Sequence, residues 1–257
     1  MPLSPRDWHQ RFELQSQWTQ DTRDHLYSRA GVLKSQRVLD VGCGTGVLTK
    51  ELSQSSINST IGLDIKSEYI DIAASFAPTA FLSLGDAHIM PFKSSVFDFC
   101  LCHYLLMWVE NPLAVLLEMK RVTIPGGAVL VLAEPDYGGR IDYPQKLAVL
   151  NEWQTTALQN QGANPFMGRK LKAIFHQAGL NDIEVGVIGA QWKNATPEHE
   201  LNSEWEIIQS DLEFLINTSE VMKSSEEIRK IDLAAWATGE RIIYVPTFYA
   251  WGKVIKD

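Results

Sequence analysis

Between residues 37 and 135 the sequence alternates short, almost wholly apolar segments with segments of helical spacing. A strand that is apolar along its whole length is buried on both faces, which is typical of a parallel sheet covered by helices on two sides. We therefore predict an α/β fold with a doubly wound, Rossmann-like sheet. The predicted strands are RVLDVG (37–42), STIGLDI (59–65), AFLSLGDA (80–87), VFDFCLCHYL (96–105) and AVLVLAEP (128–135), and the predicted helices between them cover 46–54, 67–77 and 111–122.

A glycine and several polar residues stand at or just past the ends of these predicted strands: Gly42, Asp64, Asp86, His103 and Glu134. Open α/β sheets bind ligands at the carboxyl ends of their strands, where the strand order reverses. The sequence therefore predicts one ligand-binding edge that collects these residues.

The turn GCGTG (42–46) joins the first strand to the first helix, and so many glycines let backbone amides approach a ligand closely. A P-loop would need Gly-Lys where Val47 and Leu48 stand, so that ligand class is excluded. A dinucleotide fingerprint needs a small residue at 47, so Val47 disfavours an NAD-type oxidoreductase without excluding it. The third class of ligand is a nucleoside with an amino-acid tail and no phosphate.

Three carboxylates suit that third class. Asp40 can bind an ammonium group, Asp64 can accept both ribose hydroxyls, and Asp86 can accept from an adenine amino group while the Ala87 amide donates to the ring. Carboxylates would repel a pyrophosphate but would attract a cationic sulfonium. The charge pattern favours S-adenosylmethionine as the cofactor.

The motifs VLDVGCGTG, IGLDI, GDAHIMPF with FDFCLCHYLLMW, and PGGAVLVLAEP, in this order, resemble those of the class I S-adenosylmethionine-dependent methyltransferases. The resemblance is to the small-molecule branch that includes the ubiquinone and menaquinone methyltransferases, and it covers about residues 10–135. It implies a seven-stranded, mostly parallel sheet with an antiparallel last strand. It also implies an N-terminal helix that closes over the cofactor.

The resemblance also implies a role for each matching residue. The methionine moiety would lie against the first strand and its turn, the ribose against the second strand, adenine against the residues that follow, and the sulfonium beside the fourth strand. The segment QSQWTQDTR (15–23) would supply contacts from the N-terminal helix, among them a partner for the methionine carboxylate. The residues are Asp40, Gly42, Cys43, Gly44 and Gly46 (methionine), Asp64 (ribose), Ile65, Asp86 and Ala87 (adenine), His103 (sulfonium), and Trp18 and Arg23 (N-terminal helix, Arg23 for the carboxylate).

Methyl transfer needs a general base only where the nucleophile must lose a proton. His103 is the first candidate, followed by Tyr104, Asp136 and Tyr143; His103 and Tyr104 are equally compatible with core packing. The loop EPDYGGRIDYP (134–144) concentrates polar and aromatic groups at the ligand edge and is interpreted as a substrate loop. The alternative interpretation is a structural loop in which Arg140 pairs with a carboxylate.

The whole chain of 257 residues is expected to form one methyltransferase domain. We expect an N-terminal helical lid (1–31, with a helix over 8–30), a cofactor-binding core (32–144) and a substrate-side half (145–257). That half contains predicted helices at 145–161 and 166–178, strands at 179–192 and 241–254, and a helical cap insertion at about 197–241.

Charge and composition limit the partners. The net charge of −8 and the lack of a basic patch disfavour nucleic acid. The absence of an NPPY motif from the fourth strand, where CHYL stands, and of a Pro-Cys pair argues for a small-molecule methyl acceptor. We expect no metal site, because the six histidines are dispersed, and no membrane segment or N-terminal signal, because MPLSPRDWHQRF is polar. Three cysteines, Cys43, Cys100 and Cys102, are expected to be reduced, which suits the cytoplasm. A non-catalytic S-adenosylmethionine-binding protein stays an open alternative, and the sequence predicts no oligomeric state.

Overall fold

The computed structural model describes residues 4–55, 57, 59–189, 198–212, 215 and 218–255. Its helices are α1 (Pro5–Trp18), α2 (Gln20–Ala30), α3 (Val47–Ser53), α4 (Ser67–Phe76), α5 (Pro112–Val122), α6 (Val149–Asn160), α7 (Leu171–Gln177), α8 (Glu198–Leu212) and α9 (Thr218–Thr238). Its strands are β1 (Arg37–Val41), β2 (Ser59–Asp64), β3 (Phe81–Leu84), β4 (Phe97–Cys102), β5 (Thr123–Pro135), β6 (Ile141–Tyr143), β7 (Asn181–Ile188), β8 (Ile242–Tyr244) and β9 (Thr247–Lys253).

Seven of the strands form one sheet in the order β3-β2-β1-β4-β5-β9-β7. The pairs β1–β2, β1–β4, β2–β3 and β4–β5 are parallel. β9 runs antiparallel to β5, because the Gly126 amide near the start of β5 donates to the Val254 carbonyl just past the end of β9. The predicted doubly wound sheet with an antiparallel last strand is confirmed. The winding reverses between β1 and β4, which is where such sheets bind ligands.

One compact unit comprises Leu3–Glu134, Gly168–Ile188 and Phe248–Asp257 and carries this sheet. Its core contains buried aliphatic side chains from β1, β4 and β5, which pack with α2 and α3; among them are Val38, Leu101, Leu130, Leu26 and Leu48. These strands are buried because nearly every position in them is apolar, as the two-sided helix cover requires.

The N-terminal segment forms two helices, so the prediction of a single helix over 8–30 was wrong at Thr19. α1 begins with a capping box, in which the Ser4 amide donates to Asp7 at 2.9 Å and the Asp7 amide donates back to Ser4 Oγ at 3.3 Å. The backbone of Thr19 (φ −112°, ψ 4°) leaves the helical region, and α2 starts at the next residue.

The second compact unit comprises Pro135–Met167 and Gly189–Thr247, with a two-stranded antiparallel sheet of β6 and β8 and the helices α6, α8 and α9. Its apolar core includes Leu147, Leu150, Trp205 and Leu212. The prediction of one strand over 241–254 was wrong: the chain leaves β8 after Tyr244 to cross Pro246, which has no amide to donate, and β8 pairs with β6 instead.

The strand predicted over 179–192 is β7, which ends at Ile188, and residues 190–192 lie outside the described ones. The division into lid, core and a substrate half with a helical insertion stays a prediction. Within the described ranges, no helix combines the length and the apolar character that crossing a membrane demands.

Candidate functional site

The turn between β1 and α3 holds three glycines in a conformation that other residues rarely adopt. Gly42, Gly44 and Gly46 have φ values of 69°, 52° and 86°. The Gly42 amide donates to the Leu63 carbonyl of β2 at 2.7 Å, which fixes the turn beside that strand. A Cβ on Gly46 would lie 2.9 Å from the Cβ of Ala73, so α4 packs against the turn too closely for a side chain.

Asp64 ends β2 beside this turn. Its Oδ2 accepts from the Gly44 amide at 2.8 Å, and its Oδ1 accepts from the Lys66 amide at 2.9 Å. The next residue, Ile65, is 65% exposed although it is aliphatic. The structure thus brings together the acid, the glycine turn and an uncovered apolar side chain, as the predicted ribose and adenine contacts require.

Asp86 follows β3 and keeps 48% of its side chain exposed. Its Oδ1 accepts from the His88 amide at 2.8 Å and lies 2.7 Å from His88 Nδ1. These hydrogen bonds, the one from the backbone amide first, lower the pKa of Asp86, so the carboxylate is ionised. Its neighbour Ala87 is half-buried, and contact of this pair with adenine stays a prediction.

Asp40 in β1 and Cys43 within the glycine turn are both buried. Asp40 Oδ2 accepts from the Thr49 hydroxyl at 2.6 Å. Burial raises the pKa of Asp40 to about 7, and the charge of Asp64 adds to the rise. Burial likewise raises the pKa of the Cys43 thiol, which is therefore neutral. A cation bound nearby would favour the ionised form of Asp40.

Helix α1 contacts the glycine turn directly. His9 Nδ1 lies 2.7 Å from Thr45 Oγ1, and a Cβ on Gly44 would lie 3.2 Å from the ring of Phe12. Trp18, at the end of α1, is 46% exposed. Closure of this helix over the cofactor, and the contact of Trp18 with it, stay predictions.

Hydrogen bonds connect His103 to the junction of α1 and α2. His103 Nε2 lies 2.9 Å from Thr19 Oγ1, which accepts from Arg23 Nη1 at 2.6 Å. Arg23 is 1% exposed, and its Nη2 lies 2.5 Å from Glu51 Oε2. Burial, with the charge of Arg23, lowers the pKa of His103 to about 3, so the ring is neutral. Binding of the methionine carboxylate by Arg23 stays a prediction and would compete with Glu51.

Tyr104 follows His103 with φ 52°, a conformation that is uncommon for a non-glycine residue and is found at functional sites. The centroids of the Tyr104 and His103 rings are 4.3 Å apart, in an edge-to-face arrangement. The sequence reasoning missed Glu51 and Leu105, the latter placed so that a Cβ on Gly42 would lie 2.7 Å from its Cδ1. Glu51 lies within a predicted helix and belongs to no motif, and Leu105, although it stands in FDFCLCHYLLMW, is an apolar residue of a kind that the sequence assigns to packing.

The predicted substrate loop 134–144 belongs to the second unit from Pro135 onward. Asp136 is buried and its Oδ1 accepts from the Gly138 amide at 3.1 Å, whereas Tyr143 is 54% exposed. Arg140 Nε lies 2.6 Å from Asp142 Oδ2, with both side chains buried, which matches the alternative interpretation of Arg140 as a paired, structural residue. Catalytic roles for Asp136 and Tyr143 stay predictions.

A cavity of about 320 Å³ adjoins this loop in the second unit. Its lining includes Glu152, Thr155, Thr156 and Phe166 and carries no cationic side chain. The volume is within the range of small-molecule sites. As for metals, no group of three or more His, Cys, Asp or Glu side chains that could hold an ion occurs among the residues the structure describes.

Comparison with known proteins agrees with this geometry. Residues 39–131 match the family model described as a methyltransferase domain. A demethylmenaquinone methyltransferase of Staphylococcus epidermidis is 30% identical over 192 residues, which cover 68% of this chain and 78% of that protein. An uncharacterized methyltransferase of Schizosaccharomyces pombe is 30% identical over 171 residues, and the match spans 60% of each protein.

Among solved structures, the YcgJ protein of Bacillus subtilis has the same fold, with a TM-score of 0.57. The two sequences are 18% identical, and the superposition covers 93% of this chain and all of that one. At this identity the likeness concerns the fold alone.

Proposed function

The chain belongs to the class I S-adenosylmethionine-dependent methyltransferases, and we propose that it methylates an O, N or C nucleophile of a small organic molecule. The observation that carries the cofactor assignment is the hydrogen bond from the Gly44 amide to Asp64, which joins the glycine turn to the acid expected to hold the ribose. The NAD-type alternative loses its support with this family membership.

Two features of the carboxyl edge of β1, β2 and β3 support S-adenosylmethionine as the ligand: its acidic side chains and its glycine turn. Leu105 and Ala73 occupy the space that side chains on Gly42 and Gly46 would need, and the positive φ values of these glycines shape the turn whose amides would meet the ligand. Asp64 would hold the ribose, and Asp86 with Ala87 the adenine edge, while the exposed Ile65 would lie against the ring. Asp40 and the turn would face the methionine end.

When bound, S-adenosylmethionine supplies a methyl group that its sulfonium has already activated. The residues of the chain then have to align the acceptor and exclude water. His103 can exchange hydrogen bonds, but its lowered pKa makes it a weak base. Tyr104, Asp136 and Tyr143 remain candidates, and an acceptor that ionises before it binds needs no base from the chain.

A small acceptor is supported by the charge of −8 and by the cavity of about 320 Å³. A molecule resembling demethylmenaquinone, the acceptor in the name of one relative, is a candidate. Location in the cytoplasm is part of the proposal, supported by the three cysteines, which are free and buried.

Two measurements test the proposal. Isothermal calorimetry with S-adenosylhomocysteine should detect binding, and NADH should not compete. Incubation with isotopically labelled S-adenosylmethionine and a metabolite extract should then yield a labelled product by mass spectrometry. The Asp64→Asn variant is the control, since it should label nothing. No binding of S-adenosylhomocysteine would refute the cofactor assignment, whereas binding without any labelled product would support the non-catalytic alternative.

A further inference from the structure

Glu134, near the end of β5, is a buried acidic residue to which the proposed methyl transfer assigns no role. It has no exposed surface. Three consecutive backbone amides donate to it: those of Leu105 and Leu106 reach Oε1 at 2.9 and 2.6 Å, and that of Met107 reaches Oε2 at 3.1 Å. Burial raises the pKa of Glu134 to about 8, and the hydrogen bonds from the three amides offset only part of this rise.

The turn of residues 105–107, whose amides donate to Glu134, adjoins the candidate site. It follows His103 and Tyr104 directly, and the Tyr104 amide donates to the carbonyl of Ala133, the neighbour of Glu134. Leu105 contacts the glycine turn, since a Cβ on Gly42 would lie 2.7 Å from its Cδ1. Glu134 is thereby connected to both sides of the predicted methionine and sulfonium region.

We propose that Glu134 is a positioning residue for the cofactor: it fixes the 105–107 turn, and through Leu105 and His103 it fixes the glycine turn and the sulfonium side. This inference rests on the proposed function. Three amide donors require a side chain that has two acceptor oxygens and the length of glutamate. Glutamine would turn an amide NH₂ toward an N–H donor, and aspartate is one methylene shorter.

Glu134→Gln tests the inference against a matched control. Asp98 Oδ2 also accepts from two backbone amides, those of Gln36 and Arg37 at 2.8 and 2.7 Å, but at the opposite edge of the sheet. Calorimetry with S-adenosylhomocysteine should give an affinity about tenfold lower for Glu134→Gln, because a buried donor loses its acceptor. Asp98→Asn should leave that affinity within about twofold. Equal affinities of Glu134→Gln and the wild type would overturn the inference.

Two further measurements cover the other outcomes. If Glu134→Gln does not fold, Leu105→Ala decides: a several-fold loss of S-adenosylhomocysteine affinity supports the inference, and an unchanged affinity contradicts it. If the wild type binds no S-adenosylhomocysteine, the proposed function fails, and hydrogen exchange decides the positioning. Exchange at the amides of residues 105–107 and at Gly42 should then be faster in Glu134→Gln, and unchanged exchange at Gly42 contradicts the inference.

Discussion

Replacing Asp64 with asparagine tests the cofactor assignment most directly. Its oxygens accept from the amides of Gly44 and Lys66 at 2.8 and 2.9 Å, which leaves lone pairs for two ribose hydroxyls. A hydrogen bond to a charged group contributes about 1.5–3 kcal/mol, so loss of two costs about 3–6 kcal/mol. At about 1.4 kcal/mol for each tenfold change, S-adenosylhomocysteine should bind about 10²- to 10⁴-fold more weakly.

The assay is calorimetry with two ligands, S-adenosylhomocysteine and its 2′,3′-dideoxy analogue. The analogue lacks the hydroxyls, so Asp64→Asn should weaken its binding far less than that of the parent ligand. Asp71→Asn, an exposed acid on α4, is the control and should change neither affinity.

Asp64 also fixes the glycine turn through Gly44, and displacement of that turn is the competing explanation for weaker binding. A displaced turn would weaken both ligands by the same factor, because the dideoxy analogue meets the same backbone. Equal losses for the two ligands, or an unchanged affinity for S-adenosylhomocysteine, would refute the assignment of the ribose to Asp64.

Three further predictions concern the turn and the buried charges. Gly46 and Gly31 both have a positive φ, so urea unfolding should show a loss of about 1–2 kcal/mol for Gly46→Ala and for Gly31→Ala. A Cβ would clash only at Gly46, so calorimetry should show a loss of S-adenosylhomocysteine binding only for Gly46→Ala. Burial raises the pKa of Asp40 from 3.8 to about 7, so the folded form holds a proton over a pH range in which the unfolded chain has lost it. The free energy of unfolding should therefore fall as the pH rises through this range. Asp40→Asn should remove this slope and add up to about 4 kcal/mol above about pH 7. Asp142→Ala leaves the buried Arg140 without its carboxylate and Arg241 with Asp232 alone, and should cost about 3–5 kcal/mol, whereas Glu184→Ala breaks a more exposed pair and should cost about 0–1 kcal/mol by urea unfolding.

The sheet could be predicted from the sequence because its information is local. Each strand from β1 to β5 is an apolar run, and the glycine turn and Asp64 lie at fixed offsets from those runs. Winding rules then fix which ends meet at one edge. Even so, the strand predicted to start at Ala128 starts at Thr123, since pairing with β4 continues past a register shift between Phe97 and Phe99.

The rest depended on contacts between distant segments. The break at Thr19 has no proline or glycine to mark it, and the break after Tyr244 reflects the pairing of β8 with β6, about 100 residues earlier in the chain. Arg23 was expected to be available for a carboxylate ligand, but Glu51, 28 residues away, already pairs with it. No spacing rule gives such pairs, because either side chain could have met another partner or water.

Charge is balanced differently at the candidate site and in the core of the second unit. In that core, Asp142 lies between Arg140 and Arg241, so its charge is offset within the protein. At the carboxyl edge of the sheet, the partners found for Asp64 in the described residues are the backbone amides of Gly44 and Lys66, with no Lys or Arg in an ion pair. Because backbone amides solvate a carboxylate without neutralising it, this edge keeps a negative potential. A ligand with ammonium and sulfonium charges would offset that negative potential and a pyrophosphate would add to it, so the proposed cofactor suits this edge better than a dinucleotide does.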